Sequence, residues 1–154
     1  MLDYNKSPYY IKLGSIGKNM PVQLNKHNLL GIAGTLVKKG LLSEIDAKMV
    51  LDRTQNASFV TSVVKEKLVS SYAIAHAVAE EFCYPILDLN ALKLDQTLIE
   101  LVGENFLRKQ LENYHKKNKS LALPIFKRGN SLFLAVSDPE NQEVLAEIRF
   151  SAKM

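Results

Sequence analysis

The sequence predicts an α+β fold, in which a four-helix N-terminal subdomain of two helix-hairpin repeats precedes a small three-stranded sheet flanked by helices. Three observations carry this prediction. One eight-residue pattern occurs twice, at residues 36–43 and 63–70. Pro85 ends the helical periodicity, because proline lacks an amide hydrogen and restricts the residue before it. Beyond it, short apolar segments alternate with turn residues, which is typical of strands and hairpins. We expect a flexible leader at residues 1–27, the helical repeats at 28–83 and an α/β subdomain at 84–154.

The repeat predicts two similar helix–turn–helix units. Each copy has an apolar pair, two polar residues, a turn position, two more apolar residues and a serine. Gly40 stands where a helix C-terminus favours a left-handed residue. Ser43 is a favourable N-cap for the second helix, and Ser70 or Ser71 for the fourth. Such a duplication builds a quasi-symmetric surface that suits a ligand with two-fold character.

The second half mixes strands with helices. We predict a strand at 86–89 and a helix at 96–116, in which Gly103 is a weak point. Strands at 121–126 and 131–136 flank turn residues and predict a hairpin. Asp138 followed by Pro139 is an N-cap signal for a last helix that runs to about Phe150. A sheet this small normally has further strands, so we expect a chain cut within or just after its second subdomain.

The bulk composition narrows the class of protein. Apolar residues make up 47% of the 154 residues, and the net charge is +4. The basic residues are spread along the chain, which argues against nucleic-acid binding. The one cysteine, Cys83, cannot form an internal disulfide and is expected to be a buried thiol in a reducing compartment. No run approaches the roughly 18 apolar residues of a membrane span, so we expect no membrane insertion.

Catalytic patterns are missing from this chain. It has neither the Gly-x-x-x-x-Gly-Lys-Ser/Thr phosphate loop nor a Gly-x-Gly-x-x-Gly sequence. His27, His76 and His115 have no metal-ligand spacing with one another or with acids. The sequence therefore predicts no catalytic residue, no metal site and no enzyme activity in this chain itself.

The repeat, the segment Pro-Ile-Leu-Asp-Leu at 85–89 and the hairpin at 123–139 together resemble one family. They are similar to the N-terminal, MshEN-type regulatory domain of type IV pilus assembly and type II secretion ATPases, nearest the PilB extension type. The resemblance implies a cytoplasmic hexameric ATPase of the bacterial inner-membrane face that drives pilus assembly and twitching motility. Its ATP and Mg²⁺ would bind motor domains outside this chain, which contact it in cis.

The resemblance also implies partners and site positions. Some relatives bind cyclic di-GMP with two copies of an Arg-Leu-Gly-x-x-Leu-Val-x-x-Gly motif, and others bind a PilZ-type adaptor protein. The inner-membrane platform or the cytoplasmic ring of the pilus machine is a further partner. The corresponding positions of this chain are Ile32, Leu36, Val37, Gly40, Leu41, Phe59, Val63, Val64 and Leu68.

This sequence departs from that motif at its most polar positions. Gly31 and Ser58 replace the two arginines, and Ala33 and Val60 replace the two small glycines. A lost bidentate arginine contact costs about 1–3 kcal/mol, judged by base recognition. The cations that remain beside the motif are Lys38, Lys39 and Lys65.

Three functions stay open at this point. The first is a docking module that binds a PilZ-type adaptor through its helical half or through the helix at 96–116. The second is a cyclic di-GMP sensor with a degenerate motif, and the third is a structural spacer of the hexamer. The apolar pairs 36–37 and 63–64 also have a purely structural interpretation as core residues of the hairpins.

Overall fold

The computed structural model describes the backbone of residues 9–12 and the whole of residues 29–54 and 57–153. In that part of the chain the α+β class is confirmed. The elements in chain order are β1 (Tyr9–Lys12), α1 (Gly31–Lys38), α2 (Glu44–Arg53), α3 (Phe59–Lys65), α4 (Ser71–Phe82), β2 (Ile86–Leu87), a 3₁₀ turn (Leu89–Ala91), α5 (Gln96–Val102), α6 (Glu104–Lys117), β3 (Ala122–Arg128), β4 (Ser131–Val136) and α7 (Gln142–Ser151).

The sheet has four strands, in the order β2-β1-β4-β3, and every neighbouring pair is antiparallel. Three of them were predicted. The fourth, β1, lies in the segment expected to be a flexible leader and pairs on both sides, with Tyr10 opposite both Ile86 and Val136. Four residues are too few to show a period, so the composition Tyr-Tyr-Ile was the one available signal. The expected three-stranded sheet is thus corrected to four strands.

The predicted helix at 96–116 is two helices. Gly103 separates α5 from α6 with a φ of +95° and a ψ of +121°, a conformation that side-chain-bearing residues rarely adopt. The first amides of α6 then bond back to the Gly103 carbonyl. The helix predicted to be weak at Gly103 therefore ends there, and a second helix begins directly after it.

The two copies of the repeat make the same backbone hydrogen bonds at the ends of α1 and α3. In the first unit, the amides of Gly40 and Leu41 donate to the carbonyls of Val37 and Leu36 at 3.0 and 2.9 Å. In the second, the residues twenty-seven positions later make the same two bonds at 3.1 Å each. This double bond is the Schellman motif. Lys67 occupies the left-handed position of the second copy with φ +59°, where the first copy has Gly40 with φ +69°.

Serine caps complete both units. Ser43 Oγ accepts the amide of Asp46 at the start of α2, and Ser70 Oγ accepts the amide of Ala73 at the start of α4. Both caps were predicted, with Ser71 as the alternative to Ser70. In space, α1 packs against α4 and α2, and α2 packs against α3.

One hydrophobic core crosses the boundary predicted at residue 84. Its buried members on the helical side include Ile32, Leu36, Val63 and Ile74, and on the other side they include Val102, Val136 and Ile148. The helical repeats and the α/β half therefore bury their apolar faces against each other. No helix of the described residues is both long and apolar enough to cross a membrane.

Cys83 does not match the expectation of a buried thiol. It is exposed, because it ends α4 in the left-handed conformation with φ +55° and its side chain leaves the packed face of the helix.

The matching geometry of the two units predicts opposite effects of exchanging their turn residues. Gly40→Lys should destabilise the protein by about 1 kcal/mol, because a side-chain-bearing residue is strained in the left-handed region. Lys67→Gly should stabilise it by up to about 1 kcal/mol, the relief of strain being reduced by the greater freedom of glycine in the unfolded chain. Urea unfolding measures both, and changes of the same sign would contradict the equivalence of the two turns.

Candidate functional site

The nine motif positions divide into three groups by exposure. Ile32, Leu36 and Val63 are completely buried. Phe59, Val37 and Val64 are half-buried and pack against the same core. Only Gly40, Leu41 and Leu68 are exposed. Most of the motif thus packs in the core or against it, as the structural interpretation of the apolar pairs predicted, and its turn residues are the most accessible to a ligand.

Two of the three lysines beside the motif are engaged with acids on α4. Lys38 Nζ lies 3.1 Å from a carboxylate oxygen of Glu81, and Lys39 Nζ lies 2.6 Å from one of Glu80. The hydrogen bond and the charge of Lys39 lower the pKa of the Glu80 carboxyl. These ion pairs join the end of α1 to the end of α4, so neither ammonium group is free of a counter-ion.

The third lysine joins the second repeat to α6. Lys65 Nζ donates to the Tyr114 carbonyl at 2.6 Å and to Asn118 Oδ1 at 2.8 Å, and it lies 4.6 Å from the centre of the Tyr114 ring. Burial lowers the pKa of its ammonium group. Lys65 satisfies the C-terminal carbonyls of a helix, where a cation is favoured by the helix dipole.

One acidic side chain faces the N-terminus of α1, and another faces the N-terminus of α3. Glu140 Oε2 accepts the amide of Ile32 at 3.0 Å, at the start of α1. Ser58, the N-cap of α3, donates its hydroxyl to Asp138 Oδ2 at 2.6 Å while accepting the amide of Thr61. Asp138 was predicted to cap the last helix, but Asn141 caps α7 instead, and Asp138 is turned towards the repeats.

Gly31 makes the approach of Glu140 possible. Its φ is +63°, and a Cβ built there would overlap the Glu140 carboxylate. At the two positions where the family motif has arginines, this chain therefore has a glycine under one acid and a serine bonded to another.

The pKa values of both carboxyl groups are raised above their ordinary values. Burial raises the pKa of Asp138, and the hydrogen bonds from Ser58 and from the backbone amides offset only part of that effect. Burial also raises the pKa of Glu140, the Asp138 charge adds to it, and the bond from Ile32 opposes it. The nearby Tyr84 has a raised pKa because of burial and the Glu140 charge. In the described part of the chain, the site offers carboxyl groups and no cation, so it supplies no counter-charge for a further anion.

An exposed apolar surface lies at equivalent positions of the two units. Ile45 is 73% exposed on α2, and Tyr72, twenty-seven residues later, is 67% exposed on α4. Leu41 and Leu68, each four residues earlier in the chain and in the Schellman turns, are exposed as well, and so is Met49, one turn further along α2. We call Leu41, Ile45, Met49, Leu68 and Tyr72 the repeat face. His76 stands at the position equivalent to Met49, and its ring centre lies 4.2 Å from that of Tyr72.

Sequence reasoning identified two members of the repeat face and missed Ile45, Met49 and Tyr72. A signal was present, because each capping serine is followed two residues later by a large apolar residue. Among the described residues no group of three or more His, Cys, Asp or Glu is arranged to hold a metal ion.

The sequence of this chain is similar to those of known proteins. The MshEN domain model matches residues 114–154. The type IV pilus assembly ATPase PilB of Pseudomonas aeruginosa is 33% identical over 125 residues, which cover 80% of this chain and 20% of that protein. PilB of Acinetobacter baylyi is 25% identical over 126 residues, with the same coverage of both chains. The chain thus spans about a fifth of the length of these relatives.

The contact between Gly31 and Glu140 predicts a large effect of one methyl group. Gly31→Ala should cost about 2 kcal/mol or more, since it strains the backbone and displaces the carboxylate that caps α1. Gly129→Ala is the matched control, because Gly129 has φ +57° and open space around it, and about 1 kcal/mol is expected there. If both variants lose the same free energy of unfolding in urea, the position of the Glu140 carboxylate does not depend on Gly31.

Burial of Asp138 predicts a pH-dependent stability. A carboxyl whose pKa is raised on folding binds a proton more readily in the folded state. Its favourable contribution is therefore complete below the ordinary aspartate range and is lost as the pH rises through the higher folded-state pKa. Unfolding of the protein and of Asp138→Asn should be compared across that window, where the protein should lose stability relative to the variant. A difference independent of pH would contradict this assignment.

Proposed function

Because this chain is a homologue of the PilB-type pilus assembly ATPases over 80% of its length, we propose that it is the N-terminal regulatory and docking domain of such an ATPase, with a PilZ-type adaptor as its partner. The complete protein would hydrolyse ATP with motor domains outside this chain, at the cytoplasmic face of the inner membrane. The platform or the cytoplasmic ring of the pilus machine would be a further contact. The domain would couple adaptor binding to pilus assembly.

The repeat face is the observation that carries docking. Exposed apolar side chains mark an interaction surface when they lie together in a patch, and we propose that the five side chains of the repeat face do so. A tyrosine and branched aliphatic residues on rigid helices are suitable anchors for a protein interface, because they bury much apolar area and lose little conformational freedom. Ile45 and Tyr72 are fixed in place by the serine caps that begin their helices.

Cyclic di-GMP is the less favoured ligand for three reasons. The lysines that could hold its phosphates are bound to Glu80, Glu81 and the end of α6. The positions of the motif arginines face the carboxyl groups of Asp138 and Glu140, which supply no counter-charge for a dianion. Most of the motif's apolar side chains are in the core or packed against it. A structural spacer would leave the repeat face without a partner.

The docking proposal is tested by isothermal titration calorimetry of the 154-residue chain, with the cognate PilZ-type adaptor in one series and cyclic di-GMP in another. We expect adaptor binding without nucleotide binding. Ile45→Glu and Tyr72→Glu should each weaken adaptor binding by about 2 kcal/mol, roughly thirtyfold, because each puts a charge into an apolar contact. Phe126→Ser is the control, since Phe126 is exposed on the β3–β4 hairpin, away from both repeats.

Each alternative outcome has a defined meaning. Nucleotide binding that Leu41 or Leu68 variants reduce would favour the sensor function over docking. Adaptor binding that survives both glutamate variants would move the docking surface away from the repeat face. An absence of heat with both ligands would favour the structural spacer.

A further inference from the structure

The ring of His76 lies against a side chain of the repeat face. His76 is exposed on α4, and its ring centre lies 4.2 Å from that of Tyr72, with an angle of 50° between the ring planes. Two rings at this separation are in van der Waals contact. A partner that covers Tyr72 therefore also removes part of the His76 imidazole from water.

The two repeat units differ in the charges near this position. Lys39 and Glu80 form an ion pair at 2.6 Å between the end of α1 and α4. The equivalent residues of the other unit, Glu66 and Arg53, form an ion pair at 3.1 Å with the charges exchanged. The acid of the first pair thus lies on α4, one turn after His76, whereas the equivalent residue of α2 is a base.

Glu80 is the acid nearest in sequence to a proton on His76. The hydrogen bond and the charge of Lys39 lower the pKa of Glu80, and the charge of His76 lowers it to a smaller extent. Side chains four residues apart on a helix are neighbours, so the protonated imidazole and Glu80 attract each other weakly at the surface. In the free domain, a proton on His76 is therefore tolerated.

The remaining charges around α4 are paired with one another. Lys38 and Lys39 of α1, which packs against α4, are bound to Glu81 and Glu80. The short strand β2, which also contacts α4, has no charged residue. In the part of the chain whose side chains the structure describes, the His76 side chain has no ion pair and no hydrogen bond that would hold a proton on it.

We propose that His76 belongs to the docking surface and makes docking of the PilZ-type adaptor dependent on pH. This inference rests on the proposed docking function and names its regulation. The adaptor covers the repeat face with apolar side chains, so the neutral imidazole is buried beside Tyr72. The protonated ring would lose water there without gaining a counter-charge, which is costly. Docking therefore selects the neutral form of His76.

The direction of the pH dependence follows from linkage. Histidine is the side chain whose charge ordinarily changes between pH 5 and 8, and the repeat face itself contains none, since Met49 stands at the position equivalent to His76. The free domain holds a proton on the imidazole more readily than the docked domain does, so docking releases a proton. Adaptor affinity is therefore complete above the histidine range and falls as the pH falls through that range.

The test is isothermal titration calorimetry of the 154-residue chain with the cognate PilZ-type adaptor at about pH 7.5 and about pH 5.5, towards the two ends of the histidine range. We expect the Kd to rise about tenfold at the lower pH, as for one histidine proton that must leave on binding. Titrations between these values, in two buffers of different ionisation enthalpy, should show proton release on docking. Far-UV circular dichroism at both pH values checks that the fold is intact.

Two variants of His76 separate its charge from other titrating groups. His76→Met introduces the residue that the first unit has at this position, and the tenfold ratio of its two Kd values should be lost. His76→Lys carries a charge at both pH values, so it should bind about tenfold more weakly than the unaltered chain at the higher pH and should also lose the ratio. His115→Gln is the matched control, because His115 is exposed on α6, outside the repeat face, and this variant should keep the ratio.

Failure of this inference and failure of the docking function give different results. Adaptor binding that is independent of pH, or a ratio of Kd values that persists in His76→Met, would overturn the inference and leave the docking function in place. Binding that strengthens at the lower pH would overturn it too, because the adaptor would then supply an acid to His76. An absence of adaptor binding at both pH values would remove the docking function and this inference with it.

Discussion

The structure depends on two acids that follow strand β4. Asp138 and Glu140 extend from the α/β half to the beginnings of α3 and α1, where they bond to the Ser58 hydroxyl and the Ile32 amide. The first turn of a helix has amides without internal partners. Glu140 accepts one such amide of α1 directly, whereas Asp138 accepts the hydroxyl of Ser58, whose Oγ in turn accepts an amide of α3. One short segment thus fixes the start of both repeat helices, although burial makes both carboxylates costly to ionise.

The exposed side chains of the repeats lie further along the chain than these two anchored N-termini. With the N-termini of α1 and α3 held, the Schellman turns and serine caps fix the path into α2 and α4. Ile45 and Tyr72 are then directed outwards by the same local geometry, while Leu36 and Val63 are directed into the core. The buried acids occupy the surroundings of the positions that a nucleotide-binding relative would fill with arginine. The same scaffold exposes the repeat face and surrounds the motif positions with acids.

The contacts of α6 connect the α/β half to the helical repeats. Lys65 attaches α3 to the end of α6, and Gly103 sets the direction in which α6 leaves α5. One hydrophobic core joins the two halves of the domain.

The sequence by itself determined the features whose hydrogen bonds lie within a few residues: the capped repeat helices, the turn at Gly40 and the β3–β4 hairpin. It also carries the similarity to PilB-type ATPases. It also identified the core positions of the repeat, because burial on a helix follows its period. Only the tertiary structure decided that Asp138 serves α3 rather than α7, that Glu140 stands over Gly31 and that all three motif lysines are engaged. These contacts join positions separated by as many as 108 residues. No local pattern encodes them, because they form only after the sheet and the helices pack, and β1 joins the sheet for the same reason.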